Sequence, residues 1–267
     1  MVADSNHFAV IDGANEEGLL DMLANVDPPH SCLYLEPVQP DLIAIAPYLV
    51  QLTDDVRQWL STRESKWGIY VSSTSNLQAV RKHLRKFLQV LLPNEDKPAF
   101  FRFYDPRNIW DLAEVLSDWE LHTFLGPIDE VATVTEGLER RESFQDRRAQ
   151  YPRDASSKAK LMRFDETHMR QFDVIYQSRY LAKLDVLFPS VADKDDTLTS
   201  SLFNYFKKNG ITDDRSVRGL VQLFDEKEIE NFDAFKKAYS WLIEDQSDPG
   251  HYRAESLLIK ELGYVPA

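Results

Sequence analysis

Trp67-Gly68-Ile69-Tyr70-Val71, then Ser75-Asn76-Leu77-Gln78, then the stripe Leu77, Val80, Leu84, Phe87, Leu88 and Leu91 decide the fold. The first stretch is a short apolar run with aromatic and β-branched residues, the composition of a buried strand. The second has the capping-box spacing with which helices begin. The third repeats every three or four residues and predicts a helix over 77–91 with one apolar face. A strand feeding a capped helix is the unit from which α/β layers are built.

The pattern continues on both sides of this unit. Upstream, Phe8-Ala9-Val10-Ile11 stops at Asp12-Gly13, a buried strand and its turn. Asn15 is placed to cap a helix carrying Leu19, Leu20 and Leu23, which Pro28-Pro29 ends. Cys32-Leu33-Tyr34-Leu35 is a strand candidate. Residues 41–52 are ambiguous, because Pro47 divides a helical first part from a candidate strand Tyr48-Leu49-Val50. Thr53 caps a short helix around Val56, Trp59 and Leu60. Downstream, Ala99–Tyr104 reads as a strand with Phe101 and Phe103 on one face and Arg102 and Tyr104 on the other. Asp105-Pro106 has the form of an N-cap followed by proline at the first helical position. Ser117-Asp118-Trp119-Glu120 repeats the capping-box pattern, Gly126-Pro127 closes that helix, and Ile128–Thr135 is a last strand.

Residues 137–160 are polar and mixed in charge, and predict a helical or mobile connector. Beyond them every signal is helical. Met162, Met169, Phe172, Ile175, Tyr176, Tyr180 and Leu184 fit one face of a long helix. Asn209-Gly210 closes the next helix, Thr212 starts a third, Asp225 caps a fourth, and Asp248-Pro249 opens the last before Gly263. The expected architecture is an α/β N-terminal lobe over 1–136, a mixed sheet flanked by helices, then the connector 137–160 and an all-α helical lobe over 161–267.

The chain has 267 residues, 43% hydrophobic and 12% aromatic, enough for real cores. Its 31 Lys and Arg against 44 Asp and Glu give −13, which disfavours nucleic-acid binding. The acidity is uneven: residues 1–136 hold 10 basic and 21 acidic residues, residues 137–267 hold 21 and 23. The single cysteine, Cys32, rules out an internal disulfide and a thiolate-rich metal site. No apolar run approaches the ~20 residues of a membrane span, and Met1-Val2-Ala3-Asp4-Ser5-Asn6 has no signal-peptide character. A soluble protein of a reducing compartment is expected.

Chemistry-bearing motifs are scarce. There is no GxxxxGK[ST], GxGxxG, GxSxG or HExxH, and the six histidines share no ligand spacing. Asp12 and Asp105 each end an expected strand, where open α/β sheets place ligands, but a turn and a cap account for them. Arg81, Lys82, Arg85 and Lys86 form a basic helix face, either a solvated face or a dock for an acidic partner. Trp59, Trp67, Trp110 and Trp119 are abundant for one lobe, and an exposed one would anchor an interface. These features favour a binding protein over an enzyme, with no catalytic residue, metal or cofactor.

The order of the motifs over the first half resembles a known family. Phe8–Ala14, Leu33-Tyr34, Ala46–Val50, Lys66–Ile69, His83–Phe87, Phe101–Arg107 and Phe124–Ile128 are similar in order and spacing to the domain of unknown function 4123 family, the type VI secretion effector chaperones or adaptors. The resemblance implies a non-secreted protein of the bacterial donor cytoplasm. Such a protein binds a cognate toxic effector, stabilises it and helps load it onto the spike protein VgrG, with no enzymatic activity. It also implies that the helical part is the variable C-terminal extension of that family, in which Tyr205–Asp213 resembles a recurring motif. Carried over onto this sequence, Trp67, Arg102, Tyr104, Asp105, Pro106 and Arg107 become candidate partner-binding positions, joined by Arg81 and Arg85 of the basic face. Two other readings predict different behaviour: an enzyme using Asp12 and Asp105 with a metal or small ligand, and a structural subunit of the secretion machine.

Overall fold

In the computed structural model, residues 5–35, 37–157 and 159–266 are described; Met1–Asp4, read above for signal-peptide character, and Lys158 of the expected connector lie outside them. The chain divides after Phe172 into two units.

The first unit is built on a six-stranded sheet. β1 (Asn6–Asp12) is followed by α1 (Leu19–Val26), β2 (His30–Cys32), α2 (Pro40–Ile43) and β3 (Pro47–Gln51). Then come α3 (Asp54–Ser61), β4 (Gly68–Ser73) and α4 (Leu77–Leu84), with one 3-10 turn at Arg85–Phe87. β5 (Gln89–Leu91) and β6 (Ala99–Phe100) precede α5 (Ile109–Val115) and α6 (Asp118–Leu125). β7 (Ile128–Thr135), β8 (Leu138–Glu142), α7 (Gln145–Arg148) and β9 (Met162–Arg163) complete the unit. The sheet order is β2-β3-β1-β4-β7-β8 and every pairing in it is antiparallel. The expected α/β lobe is present, with mixed pairing only in a small sheet β6-β5-β9.

β1 lies inside the sheet and Phe8–Asp12 are all buried, as expected of a strand covered on both faces. Its odd-numbered side chains Ala9 and Ile11 join Leu19, Met22 and Leu23 of α1 and Val56 and Leu60 of α3 in one core. Alternation sends Phe8 and Val10 to the opposite face. α4 packs against β2 and β3, and Phe124 of α6 meets Phe87 and Phe103 edge-on at 5.0 and 5.7 Å. Thr53 caps α3 through the Val56 amide at 3.3 Å. Ser117 and Glu120 form the expected capping box on α6.

Several boundaries differ from the sequence reading. α1 starts at Leu19 behind Gly18, not at Asn15. β2 ends at Cys32 and does not extend to Leu35. The helix predicted over 77–91 stops at Leu84, and its stripe continues into the 3-10 turn and β5. Its cap is Asn76, which accepts from Ala79 at 3.0 Å, rather than Ser75. Residues 137–150 are not a connector, because β8 pairs along β7 from Thr135↔Leu138 to Val131↔Glu142. Polarity misled the reading: β8 is an edge strand exposed throughout, and charge there discourages further strand pairing.

The division falls within α8 (Glu166–Leu187), and Met162 belongs to β9 rather than to this helix. The second unit continues with α9 (Pro189–Ala192), α10 (Leu198–Lys208), α11 (Asp214–Glu226), α12 (Phe232–Ile243) and α13 (Gly250–Leu262). Its core centres on Phe235, which packs on Phe206, Phe224 and Tyr239 with ring centroids 5.2–5.9 Å apart. α11 and α12 are capped by Asp213 and Asn231, one and six residues beyond the expected Thr212 and Asp225.

Candidate functional site

β1 ends inside the molecule on a carboxylate. The Asp12 amide donates to the Trp67 carbonyl at 2.7 Å, and the Gly13 amide to the Ala46 carbonyl at 3.1 Å, so three strand ends converge there. Gly13 is required by this crowding: a Cβ would lie 2.5 Å from the Ala44 carbonyl oxygen. Asp12 is 0% exposed. Its Oδ1 accepts from the Ala14 amide at 3.1 Å and its Oδ2 from Nη2 of Arg102.

Arg102 sits in a turn, not in the strand the sequence suggested. β6 ends at Phe100, and the 102–109 backbone curls through Asp105→Arg102 (3.2 Å) and Asn108→Asp105 (2.9 Å) amide–carbonyl bonds. The expected two-faced alternation is therefore lost: Phe103 and Tyr104 are both buried, Tyr104 to 1% exposure. Asp105 is not the cap of a helix, since α5 begins at Ile109. Its carboxylate accepts from the Arg107 amide and Nε at 2.9 Å and from Arg107 Nη2 at 2.5 Å. Burial pushes the Asp105 carboxyl up, but its bonds to Arg107 and the charges of Arg107 and Arg102 outweigh burial and hold it below its ordinary value. Burial and the Asp12 charge together push the Tyr104 phenol far above the usual tyrosine range, and Tyr34 moves the same way.

Asp12, Arg102, Tyr104, Asp105 and Arg107 thus form one polar plug in which each acid faces a guanidinium. This arrangement fastens the 101–108 turn to the end of the sheet. Trp67 is also a core residue, 5% exposed and edge-on to Tyr70 at 4.8 Å, and Pro106 is buried. Of this group only Arg102 and Arg107 reach the surface. No group of three or more His, Cys, Asp and Glu side chains among the described residues is placed to hold a metal ion.

Arg81 and Arg85 lie elsewhere, on the outer side of α4 and the turn that follows it. One side of this helix borders an apolar groove of about 640 Å³ lined by Leu33, Leu35, Pro37, Val38, Leu42, Leu88 and Phe100, with Arg85 at its rim. Leu35 is 77% exposed and Phe100 51%. The other side borders a cavity of about 930 Å³, whose walls include Lys86 and Phe87, Trp119 of α6, and residues 153–157 and 159–163. Between them Gln78, Arg81, Lys82, Arg85 and Lys86 surround a depression of about 500 Å³. Arg81 Nε donates to the Cys32 carbonyl at 2.8 Å and ties α4 to β2. The basic face was legible in the sequence, whereas the groove was not, because its walls come from three separate segments.

All three concavities lie in the first unit, and no helix among the described residues is long and apolar enough to cross a membrane. No curated protein and no solved structure matches the chain. Residues 7–123, which span β1 to α6 and hold the plug, the apolar groove and the basic helix, match the family model described as Domain of unknown function (DUF4123).

Proposed function

We propose that the chain is a type VI secretion effector chaperone or adaptor. On this reading it stays in the cytoplasm of the donor bacterium, binds a cognate toxic effector, keeps it stable and helps load it onto the VgrG spike. It acts by holding rather than by catalysis. The observation that carries the reading is the open apolar groove on an acidic lobe, with Leu35 and Phe100 exposed at its walls. Exposed apolar surface of this kind marks a binding site. The resemblance of the same segment to the adaptor family supplies the class of partner.

The test is an affinity pull-down of the tagged full chain from a native lysate expressing the secretion system, with bound proteins identified by mass spectrometry. Enrichment of one effector, with or without VgrG, supports the adaptor. Enrichment of neither, from cells in which both are detected, sinks it. A secretion defect affecting every effector points instead to a structural subunit.

A further inference from the structure

The stretch 77–93 contains four Lys and Arg and no acidic residue, within a lobe that is otherwise strongly acidic. Lys82, Arg85 and Lys86 make no ion pair with any described residue. A solvated helix face in an acidic protein ordinarily intersperses the two signs. Here three cations stand together, and each borders a concavity. Arg85 lines both the apolar groove and the basic depression, and Lys86 lines both that depression and the larger cavity. The three hollows are therefore one surface, apolar at one end, basic in the middle, and mixed at the other end, where Phe87 and the 38%-exposed Trp119 lie.

We infer that this surface binds one segment of a partner protein, with acidic residues at its centre and apolar residues on both sides. The acids meet Lys82, Arg85 and Lys86. One apolar end enters the groove beside Phe100, and the other enters the cavity beside Trp119. Charge complementarity selects the centre and sets its register, while apolar burial and the aromatic anchor supply affinity. A long polyanion fits less well, because the surrounding lobe repels it beyond the basic strip. The inference deepens the adaptor reading and rests on it for the kind of partner only.

The probe is a fluorescein-labelled synthetic peptide with a central run of glutamates between two Leu/Phe-containing stretches, followed by anisotropy with the full chain. Binding should fall about tenfold when the glutamates become lysines, and similarly for the triple variant Lys82→Glu, Arg85→Glu, Lys86→Glu. Each apolar stretch replaced by serines should weaken binding several-fold on its own. Because the three side chains are at the surface, circular-dichroism melting of the triple variant should match the wild type, and Arg85→Ala serves as a milder second variant. No binding of the parent peptide overturns the inference. So does equal binding of the lysine peptide, or tighter binding of duplex DNA or phosphatidylserine vesicles. The two readings fail separately. A pull-down that recovers an effector equally with wild type and triple variant removes this surface and leaves the adaptor. A peptide that binds as described while no effector is recovered does the reverse.

Discussion

Arg102 reaches across 90 positions of sequence to donate to the carboxylate of Asp12, whose side chain is only 1% exposed. Burial opposes the guanidinium charge, but the bond to Asp12 and its charge outweigh burial and leave Arg102 above its ordinary pKa. Removing one member of such a pair leaves a buried charge without compensation, whereas replacing both with apolar groups is often tolerated. Arg102→Ala should therefore cost about 3–5 kcal/mol in urea unfolding. Asp12→Leu combined with Arg102→Met should recover most of that loss. A double variant no more stable than Arg102→Ala would show that the pair's polarity itself, and not its mutual neutralisation, is needed. Arg102→Glu places an acid against Asp12, so loss of partner capture in that variant would report unfolding before it reported an interface.

Arg147 and Arg148 fasten the end of α7 to two helices. Arg147 donates to the carbonyls of Ala113 and Leu116 at 2.6 Å and to Asp118 at 2.5 Å, capping the C-terminus of α5 and pairing with the start of α6. Arg148 donates to the carbonyls of Ile128 and Gly126 at 2.7 and 2.9 Å, just past the end of α6. A planar fork serves several acceptors at once, which an ammonium does not. Arg147→Ala should cost about 2 kcal/mol, and Arg147→Lys should restore less than half of it. A chain ending at 136 lacks β8 and both arginines, and should fail to unfold cooperatively. A sharp thermal transition in that fragment would refute this assignment.

These arginines show where the sequence was legible and where it was not. Strong local signals translated directly: β7 was read residue for residue as Ile128–Thr135, and the Ser117–Glu120 box and the Thr53 cap are where their spacing put them. The core strand β1 announced itself as an uninterrupted apolar run. What failed were segments whose conformation depends on distant partners. Phe101–Tyr104 has the alternation of a strand, yet Arg102's bond to Asp12 and Asp105's bonds to Arg107 curl it into a turn. The polarity of 137–160 suggested a connector because the acceptors of Arg147 and Arg148 lie far off in the sequence. The site followed the same rule: the basic face of α4 was visible in its spacing, but the groove beside it is made by residues 33–35, 37–39 and 42, residues 85, 88 and 89, and residue 100 meeting in space.

His83 gives the first unit an acid-sensitive joint. Its Nε2 lies 2.7 Å from the Phe124 carbonyl, and Gly126 presses so closely that a Cβ there would come 2.2 Å from the ring. Burial disfavours the imidazolium and lowers His83 from 6.5 to about 4; the Phe124 carbonyl works the other way, and Lys86 and Arg148 add to the depression. The unfolded chain therefore takes up a proton near pH 6.5 that the folded chain refuses until about pH 4. Nothing is lost above this window, and stability falls as pH drops through it, by about 2 kcal/mol between pH 7 and 5. Asp105 and Glu120, both held below their ordinary values, lose their contributions only at lower pH. Melting curves of wild type and His83→Gln at both pH values isolate the effect. If the two proteins lose the same stability on acidification, His83 is not the joint.

In the helical unit, Arg253 is 4% exposed and gathers three chain ends around one guanidinium. Its Nε donates to the Asp248 carbonyl at 3.0 Å, Nη1 to the Ile243 carbonyl and Nη2 to the Asn209 carbonyl. The Asn209 carbonyl follows α10 and the Ile243 carbonyl ends α12, where helices leave acceptors unpaired, while Asp248 precedes α13. The same joint fixes Gly250 at the first position of α13: a Cβ would stand 2.0 Å from the Gly210 carbonyl oxygen, a backbone atom that cannot swing aside. Glycine-to-alanine in a helix normally stabilises by roughly 1 kcal/mol. Gly250→Ala should do the opposite, because α13 must shift away from the end of α10 to admit one methyl group. Arg253→Met, which keeps much of the side chain's bulk but orphans the buried Ile243 and Asn209 carbonyls, should cost about 3 kcal/mol. Amide hydrogen exchange supplies the local readout: protection should fall first at the last turn of α10 and the first turn of α13 in both variants. A Gly250→Ala protein as stable as wild type, with protection unchanged there, would show that this contact is not the one that sets the joint.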